Sequence, residues 1–480
     1  MAQRDSTYST PMMYIEGEWV GAAGRDGEDV LDPASGAVLA SVPHAGEADL
    51  ERALNAAEQG FAQWRITAVE ERARVLADAA RLIRERAELI AEIATREQGK
   101  VLVEAMGETM AAAAMMEFHA GEAARIYGRV LPRPRGTRSM VLPQPVGTVA
   151  AFCAWNFPVL NVVRKLSPAI ASGCSVILKP SEETPASATE IMRCLVDAGL
   201  PANVAQIVFG VPDKVSTYLL KSPITRKLSF TGSVPVGKHL LKLAADTVMR
   251  STMELGGHGP VLVFDDCDLD ETIKTLVGHK FRNAGQVCVA PTRFFVQDTI
   301  YERFAAGFAQ HARALNLGDG ALASTQMGPL ANPRRPGAIE SLVEDAVAQG
   351  AVLMAGGSRG EGSGFFYNPT VLKDVPNSAR AMMEEPFGPL ALIRPFSTMD
   401  DAVEQANRLP FGLAAYCFTE SARRQNHLSE AIDAGMIAFN SIRMSWPDAP
   451  FGGMKESGFG SEDGPEGIAA HMVTKSIHIA

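Results

Sequence analysis

The sequence predicts a large α/β protein of two or three domains, in which helices flank parallel β-sheets. The chain has 480 residues, which is more than one hydrophobic core usually holds. From Val146 onwards, short apolar runs alternate with helical segments, a rhythm typical of βαβ units. Apolar residues make up 46% of the chain and charged residues 21%, as in ordinary globular proteins.

The first hundred residues predict helices. Apolar residues recur there at helical spacing in two stretches. The first stretch contains Leu50, Ala53, Leu54, Ala57, Phe61 and Trp64, and the second contains Leu76, Ala80, Ile83, Ile90 and Ile93. We expect one helix from each stretch, the second ending near Gly99, because glycine commonly closes a helix.

The next segment predicts a parallel sheet. Its apolar runs are "VGTVAAF", "SVILK", "VAQIVF" and "RKLSF". Thr184-Pro185 is typical of a helix start, and Gly199 with Pro201 of its end. Ser233-Val234-Pro235 predicts the start of another helix. Ligands of such sheets bind at the carboxyl ends of the strands, so this region favours a nucleotide.

A second α/β series follows Gly256-Gly257. Its predicted strands are "PVLVFDD", "TRFFVQ", "PLALIRPF", "LAAYCFT" and "GMIAFN", with an amphipathic helix from Ile300 to Leu315. Two further segments, Gly128 to Pro145 and the C-terminal "VTKSIHIA", predict arms that leave the body and pair with other strands, including those of a partner subunit.

Composition argues against several classes of function. The net charge is −10 and aromatic residues are 7%, which disfavours nucleic-acid binding and requires local arginines for any anionic substrate. No CxxC spacing occurs among the cysteines, so neither a metal site nor a disulfide framework is expected. They are Cys153, Cys174, Cys194, Cys267, Cys288 and Cys417.

The sequence also predicts a cytoplasmic protein. The N-terminal "MAQRDSTYSTPMMY" does not resemble a secretory signal. The most apolar stretch, "VGTVAAFCAWNFPVLNVV", carries Asn156, Pro158 and Asn161, so it does not predict a membrane span. Dispersed cysteines suit a reducing compartment.

Two turns are candidates for binding a nucleotide. "FTGSVPVGKH" lacks the Ser or Thr that a Walker A loop places after its lysine, so an ATPase is disfavoured. A helix N-terminus that binds a pyrophosphate and a plain tight turn both remain open. Lys179 and Glu182, just past a predicted strand, suit a ribose, and Glu182 would repel a 2′-phosphate, favouring NAD over NADP. The alternative is a solvated charged turn.

Cys288 and Glu254 lie in glycine-containing turns, where a nucleophile and a base can meet a ligand. A lone cysteine is more often a buried apolar residue than a nucleophile. No GxSxG or HExxH motif occurs, so serine hydrolase and zinc enzyme lack support, while a Cys-His hydrolase stays open.

Seven motifs, in order along the chain, resemble the aldehyde dehydrogenase superfamily. They are "AWNFP", "LKPSEETP", "FTGS", "MELGGH", "GQVC", "EEPFGP" and "PFGGMKESGFG". The resemblance implies a Rossmann-type coenzyme domain in residues 1–126 and 144–254, an α/β catalytic domain in 255–452, and a β oligomerisation arm in 127–143 and 468–480. It also implies NAD or NADP as coenzyme and a homodimer or homotetramer.

The resemblance assigns roles to matching residues. Cys288 matches the nucleophile, Asn156 the oxyanion donor and Glu254 the general base that hydrolyses the thioester to a free acid. Lys165 and Glu462 match a buried pair that relays protons. The matches for coenzyme contacts are Trp155, Lys179, Glu182, Gly232, Ser233, Leu255, Glu385 and Phe387.

Substrate class follows from a narrower resemblance. Arg164, Arg282 and Ser445 match residues that bind the distal carboxylate in succinate-semialdehyde dehydrogenases. The motifs "LANPRR", "NRLPFGLAAY" and "GSEDGPE" are similar to bacterial α-ketoglutaric semialdehyde dehydrogenases. Ala290 stands where the succinate-semialdehyde enzymes often carry a second cysteine, so no redox switch is expected there. The alternatives are an aldehyde without a carboxylate and a noncatalytic protein of the same fold.

Overall fold

In the computed structural model, residues 8–480 form two α/β bodies, each around its own sheet, and a small β arm. Residues 1–7 lie outside the described residues. They include the start of the N-terminal segment that does not resemble a secretory signal, and the start of the predicted coenzyme domain. None of the helices in residues 8–480 combines the length and apolar composition that a membrane crossing requires.

The elements alternate along most of the chain. The helices are α1 Glu47–Trp64, α2 Val69–Glu85, α3 Ala87–Gln98, α4 Leu102–Ala123, α5 Leu160–Ser172, α6 Pro185–Asp197, α7 Pro212–Lys221, α8 Val234–Ala245, α9 Leu269–Phe281, α10 Tyr301–Arg313, α11 Arg334–Ala348, α12 Met399–Asn407, α13 Ala422–Ala431 and α14 Gly464–Ala469. The first strands are β1 Met13–Ile15, β2 Glu18–Val20, β3 Gly27–Leu31, β4 Val38–Pro43, β5 Arg129–Leu131, β6 Arg138–Pro145, β7 Thr148–Phe152, β8 Ser175–Lys179, β9 Ala205–Ile207, β10 Thr225–Gly232 and β11 Arg250–Leu255. The remaining strands are β12 Gly259–Val263, β13 Pro291–Gln297, β14 Val352–Ala355, β15 Thr370–Lys373, β16 Leu390–Phe396, β17 Phe411–Gly412, β18 Ala414–Phe418, β19 Met436–Phe439, β20 Met454–Lys455, β21 Gly458–Phe459 and β22 Met472–Ile479.

The first sheet has the strand order β2-β1-β9-β8-β7-β10-β11-β21. Its five central strands, from β9 to β11, run parallel, which confirms the prediction from the four apolar runs. The predicted helix starts are also confirmed, since α6 begins at Pro185 after Thr184 and α8 begins at Val234 after Ser233.

The second sheet has the order β14-β15-β16-β13-β12-β18-β19. All of its strands are parallel except β14, which pairs antiparallel with β15 at one edge. The five apolar runs predicted as strands correspond to β12, β13, β16, β18 and β19. Each sheet anchors a separate hydrophobic core, the first from Met13 to Leu255 with Ile468, the second from Val261 to Ala438.

The second predicted helix of the N-terminal region is two helices in the structure. The chain leaves helical geometry at Arg86, where φ is −102° and ψ is 13°, and continues as α3. Arg86 donates to Asp197 at 2.6 Å, at the end of α6, so a contact distant in sequence accompanies the break. The helical spacing of the apolar residues continues across Arg86, so it does not predict the break. The predicted end holds, because Gly99 closes α3 with φ at +95°.

The two predicted arms pair with each other. Strand β22 lies antiparallel to β6 along its whole length, from Met472 opposite Pro145 to Ile479 opposite Arg138, and β5 pairs with the other edge of β6. Val130 and Ile479 are exposed on this three-stranded sheet, and Tyr127 is exposed just before it. The arm therefore presents apolar side chains to solvent.

Candidate active site

A cleft of about 530 Å³ receives residues from both bodies. It brings together most of the residues that the sequence analysis selected. Those lining it are Trp155, Asn156, Arg164, Gly232, Ser233, Glu254, Leu255, Arg282, Cys288, Glu385, Phe387 and Ser445. Lys165, Glu462, Lys179 and Glu182 do not line the cleft.

The turn that carries Cys288 lies between α9 and β13. It follows three successive residues with positive φ, namely Asn283 at 49°, Ala284 at 51° and Gly285 at 72°. A side chain at Gly285 would come within 2.1 Å of a backbone oxygen, so the turn requires glycine there. The Gln286 side chain donates to the Asn283 carbonyl at 3.1 Å. This fixed backbone holds a partly exposed thiol at the cleft wall.

The Cys288 thiol is protonated at neutral pH in the protein alone. Burial raises its pKa well above the usual range, and negative charge on Glu254 and Glu385 raises it further. All six cysteines carry free thiols. Because the thiolate is the nucleophilic form, Cys288 needs a group that accepts its proton.

Glu254 lines the same cleft, and its charge raises the pKa of Cys288. It is the penultimate residue of β11 and pairs with Thr231 of β10, and burial raises its pKa to about 8, with Glu462 adding to the shift. Its Oε1 atom is buried and has no hydrogen-bond partner within residues 8–480. A carboxyl with this pKa is mostly protonated at pH 7 and half ionised near pH 8, a range suited to general base catalysis.

Asn156 is held from several sides in the loop after β7. Its Nδ2 atom donates to the Gln286 carbonyl at 3.2 Å, which directs the amide towards the loop that carries Cys288. Asn161 donates to its Oδ1 at 3.3 Å. Its backbone oxygen accepts from Asn283 at 3.0 Å and from Lys100 at 2.8 Å. The amide is therefore held in a fixed position in the same cleft wall as the thiol.

Lys100 and Glu108 form a buried ion pair that the sequence analysis missed. Their atoms Nζ and Oε2 lie 2.5 Å apart, and each side chain is 1% exposed. The other oxygen of Glu108 accepts the N–H groups of Val159 and Leu160 at 2.8 and 3.0 Å, so it caps α5 in place of a local side chain. Helical spacing in "GKVLVEAMGE" gives no signal of a buried pair.

Lys165 and Glu462 form a second buried ion pair, as the resemblance implied. Thr231 donates to Glu462 Oε1 at 3.3 Å. The pair lies behind the cleft wall, and both of its charges act on Glu254, since Glu462 raises the pKa of that carboxyl and Lys165 lowers it.

One end of the cleft fits a dinucleotide. Gly232 and Ser233 line it at the start of α8, and Ser233 makes no side-chain cap, which leaves the first-turn N–H groups for an anion. Glu385 accepts the Gly257 N–H at 3.1 Å, and the Trp155 ring meets Phe387 edge-on at 5.4 Å.

Lys179 and Glu182 form an ion pair with each other beyond the lining of the cleft. Glu182 also accepts the Gly210 N–H at 3.3 Å. Lys179 is the last residue of β8 and Glu182 follows it, next to the strand that leads to Trp155.

The two arginines at the other end differ in their partners. Arg164 is bound by Asp463, which the sequence analysis did not select, and by Ser445. Arg282 forms no ion pair within residues 8–480 and faces the Phe157 ring at 5.4 Å. Arg164 and Asp463 are 299 residues apart in the chain, so no local pattern could predict this contact.

Fold and site together define an α/β protein in which a thiol and a carboxyl face one cleft between two parallel-sheet bodies. The family model described as the aldehyde dehydrogenase family matches residues 19–477. This chain belongs to the aldehyde dehydrogenase family. The family uses NAD or NADP, so the protein is an NAD(P)-dependent oxidoreductase.

Relatives and solved structures match along the whole chain. It is 47% identical over 472 residues to the 4-(hydroxymethyl)benzenesulfonate dehydrogenase of Comamonas testosteroni, with 98% of each chain covered. It is 39% identical over 480 residues to the NADP(+) succinate-semialdehyde dehydrogenase of Escherichia coli strain K12, with 100% of each covered. The crystal structure of succinate-semialdehyde dehydrogenase from Burkholderia pseudomallei superposes with a TM-score of 0.97 at 40% identity, covering 100% of both chains.

Proposed function

We propose that the protein oxidises a short aldehyde with a terminal carboxylate, such as succinic or α-ketoglutaric semialdehyde, to the free acid. The observation that carries the proposal is one cleft whose wall contains Cys288, Glu254 and two arginines, Arg164 and Arg282. Guanidinium groups bind carboxylates well, and relatives named for succinate semialdehyde match the whole chain.

In the first half-reaction, Cys288 is the nucleophile. Glu254 accepts the thiol proton, and the sulfur attacks the aldehyde carbon to form a thiohemiacetal. The Asn156 amide and the Cys288 N–H donate to the oxygen that becomes negative, which lowers the barrier because these donors are already in place. The nicotinamide coenzyme, when bound, accepts the hydride that leaves this carbon.

In the second half-reaction, Glu254 acts as general base. The thioester on Cys288 is attacked by water, and Glu254 takes the proton of that water. The acid product leaves and the thiol is restored. We assign Lys165 and Glu462 to passing the proton on from Glu254, supported by their burial behind it and their effect on its pKa.

We assign coenzyme binding to the end of the cleft near α8. Gly232 and Ser233 would hold the pyrophosphate, and Glu385 with Phe387 the nicotinamide ribose and ring. Trp155 and Leu255 would complete the wall. Lys179 and Glu182 would contact the adenosine ribose, where Glu182 favours NAD by repelling a 2′-phosphate, with NADP as the alternative.

We extend the proposal to organisation and location. The coenzyme domain would comprise residues 1–126 and 144–254, the catalytic domain 255–452, and the oligomerisation arm 127–143 and 468–480. The exposed apolar side chains on the arm support assembly into a homodimer or homotetramer. We keep the cytoplasm as the proposed location, supported by the dispersed free cysteines.

A sulfonate-bearing aromatic aldehyde is a second candidate substrate. It is favoured by the 47% identity to a relative named for 4-(hydroxymethyl)benzenesulfonate, which exceeds the identity to the Escherichia coli succinate-semialdehyde enzyme. The cleft walls also carry apolar rings, those of Phe157 and Phe451. A sulfonate would occupy the same arginines as a carboxylate.

One assay tests the proposal. Purified protein is mixed with NAD or NADP and, in turn, succinic semialdehyde, α-ketoglutaric semialdehyde, 4-formylbenzenesulfonate and butanal, and formation of reduced coenzyme is followed by absorbance. We expect the fastest turnover with an anionic aldehyde and none with Cys288→Ala. Equal rates with butanal would refute anion recognition, and turnover by Cys288→Ala would refute the mechanism.

A further inference from the structure

Arg164 is paired at two of its nitrogens with a carboxylate of its own chain. Its Nε atom donates to Asp463 Oδ1 at 3.0 Å and its Nη2 atom to Asp463 Oδ2 at 2.7 Å. The same Nη2 donates to Ser445 Oγ at 2.7 Å, and the guanidinium lies 4.0 Å from the centre of the Phe451 ring. Two-point pairing is the strongest way in which an arginine binds a carboxylate. A substrate carboxylate would therefore meet an arginine that already binds the Asp463 carboxylate.

The Asp463 side chain binds Arg164 and does not cap a helix. It stands at the N-cap of α14, where aspartate usually accepts a backbone N–H, yet its side chain makes no cap here. Both of its oxygens face Arg164, and the side chain is 0% exposed. The guanidinium holds the carboxylate ionised against the cost of burial. The pair is therefore close to neutral as a unit.

Arg282 has no comparable partner. It forms no hydrogen bond or ion pair within residues 8–480, lies at the cleft wall and is partly exposed. Glu104 interacts with it electrostatically, but the Oε2 atom of Glu104 already accepts the Asn283 N–H at 2.9 Å. Of the two arginines at this end of the cleft, Arg282 carries the charge that is free to meet an anion.

We propose that Asp463 is a specificity-determining residue, which neutralises Arg164 and leaves Arg282 as the cation that selects anionic aldehydes. The inference rests on the proposed function. It assigns different roles to the two arginines of the proposed anion site. Arg164 with Asp463 and Ser445 forms a neutral, hydrogen-bonded wall, and Asp463 limits how tightly the distal anion is bound.

The test compares Asp463→Asn, Arg282→Ala and the double variant with the wild type. For each, kcat/KM is measured for succinic semialdehyde and for butanal, and the ratio of the two values is the readout. A change in folding or coenzyme binding alters both values and cancels in the ratio. Release of Arg164 gives a new charged hydrogen bond to the substrate, which corresponds to about a tenfold change.

We expect Asp463→Asn to raise the preference for succinic semialdehyde about tenfold and Arg282→Ala to lower it by a similar factor. In the double variant, the freed Arg164 should restore most of the loss. A ratio for Asp463→Asn within about twofold of the wild type in both backgrounds, or a lower ratio, would overturn the inference.

A second measurement tests the inference if the Asp463→Asn variant fails to fold. Inhibition by succinate is compared with inhibition by butyrate in the wild type and in Arg282→Ala, which keeps the buried pair intact. We expect Arg282→Ala to lose the preference for succinate, and retention of that preference would show Arg164 to be an active anion site. Wild-type protein that oxidises no aldehyde with either coenzyme would refute the proposed function instead.

Discussion

At the scale of single residues, the cleft is unusual in how many buried carboxyls it holds near one thiol. Burial raises the pKa values of Glu254 and Glu385 to about 8. Both also raise the pKa of Cys288, so thiol and bases are coupled. At neutral pH the thiol therefore holds its proton more tightly than either carboxyl does.

The pKa of Glu254 predicts the pH dependence of turnover. A general base works when it is deprotonated, so kcat should rise with pH and level off above a pKa near 8 where thioester hydrolysis is the slow step. Steady-state assays on both sides of pH 8 measure this profile. Glu254→Gln should give one rapid turnover of reduced coenzyme and then stall. Sustained wild-type rates in that variant would contradict the role of the base.

Asn156 provides a second prediction. Asn156→Ala should lower kcat by about 10²- to 10³-fold, because one donor to the developing oxyanion is lost. Coenzyme binding should stay within about twofold, since the donor acts only in the transition state. Titration of NAD by fluorescence and single-turnover kinetics separate the two effects. A large change in coenzyme affinity with kcat unchanged would reject the assignment.

At the scale of elements, one ion pair ties α4 to the loop that carries Asn156 and to the start of α5. Lys100 reaches the Asn156 carbonyl and also lies 4.3 Å from the centre of the Phe157 ring, while Glu108 caps α5. The loop is therefore set by groups that lie 48 or more residues earlier in the chain, which no local pattern reports.

This pair predicts a large effect on stability. Lys100→Met leaves Glu108 buried without its cation and should lower the free energy of unfolding by about 3–5 kcal/mol. A matched control is Arg81→Met, which breaks the exposed pair of Arg81 and Glu85 on α2 and should leave the free energy of unfolding almost unchanged, because solvent screens an exposed pair. Urea unfolding measures both variants. Equal small losses would show that the buried pair contributes little.

At the scale of the whole molecule, two bodies with separate cores meet at the cleft, and the arm extends from the first body through β6 and β22. Val130 is 68% exposed and Ile479 48% exposed on that arm. Apolar side chains left in water at a sheet of three strands are typical of a surface that a partner subunit covers.

The arm gives a prediction about assembly. Val130→Lys combined with Ile479→Lys should shift the proposed dimer or tetramer towards smaller species, because two charges would be buried at the interface. Ile66→Lys is the control, since Ile66 is 81% exposed on the turn between α1 and α2, away from the arm. Light scattering over a range of protein concentrations measures the masses. Unchanged masses in the arm variant would place the interface elsewhere.

Much of this architecture was predictable from the sequence by itself. The apolar runs identified the central strands of both sheets, and proline after Thr184 and Ser233 identified two helix starts, because strand length and helix capping are local properties. The motifs also identified residues that share one cleft, from Asn156 to Ser445. These predictions of elements and of site residues do not require knowledge of contacts between residues distant in the chain.

Only the tertiary structure decided the partners of buried charges. Helical spacing ran through Arg86, where a contact with Asp197 accompanies the break between α2 and α3. Arg164 matched a substrate ligand by its motif, whereas its strongest contact is Asp463, far along the chain. The physical reason is common to both: short-range pattern fixes which face of an element is apolar, but the energy of a buried charge depends on the group that folding brings beside it.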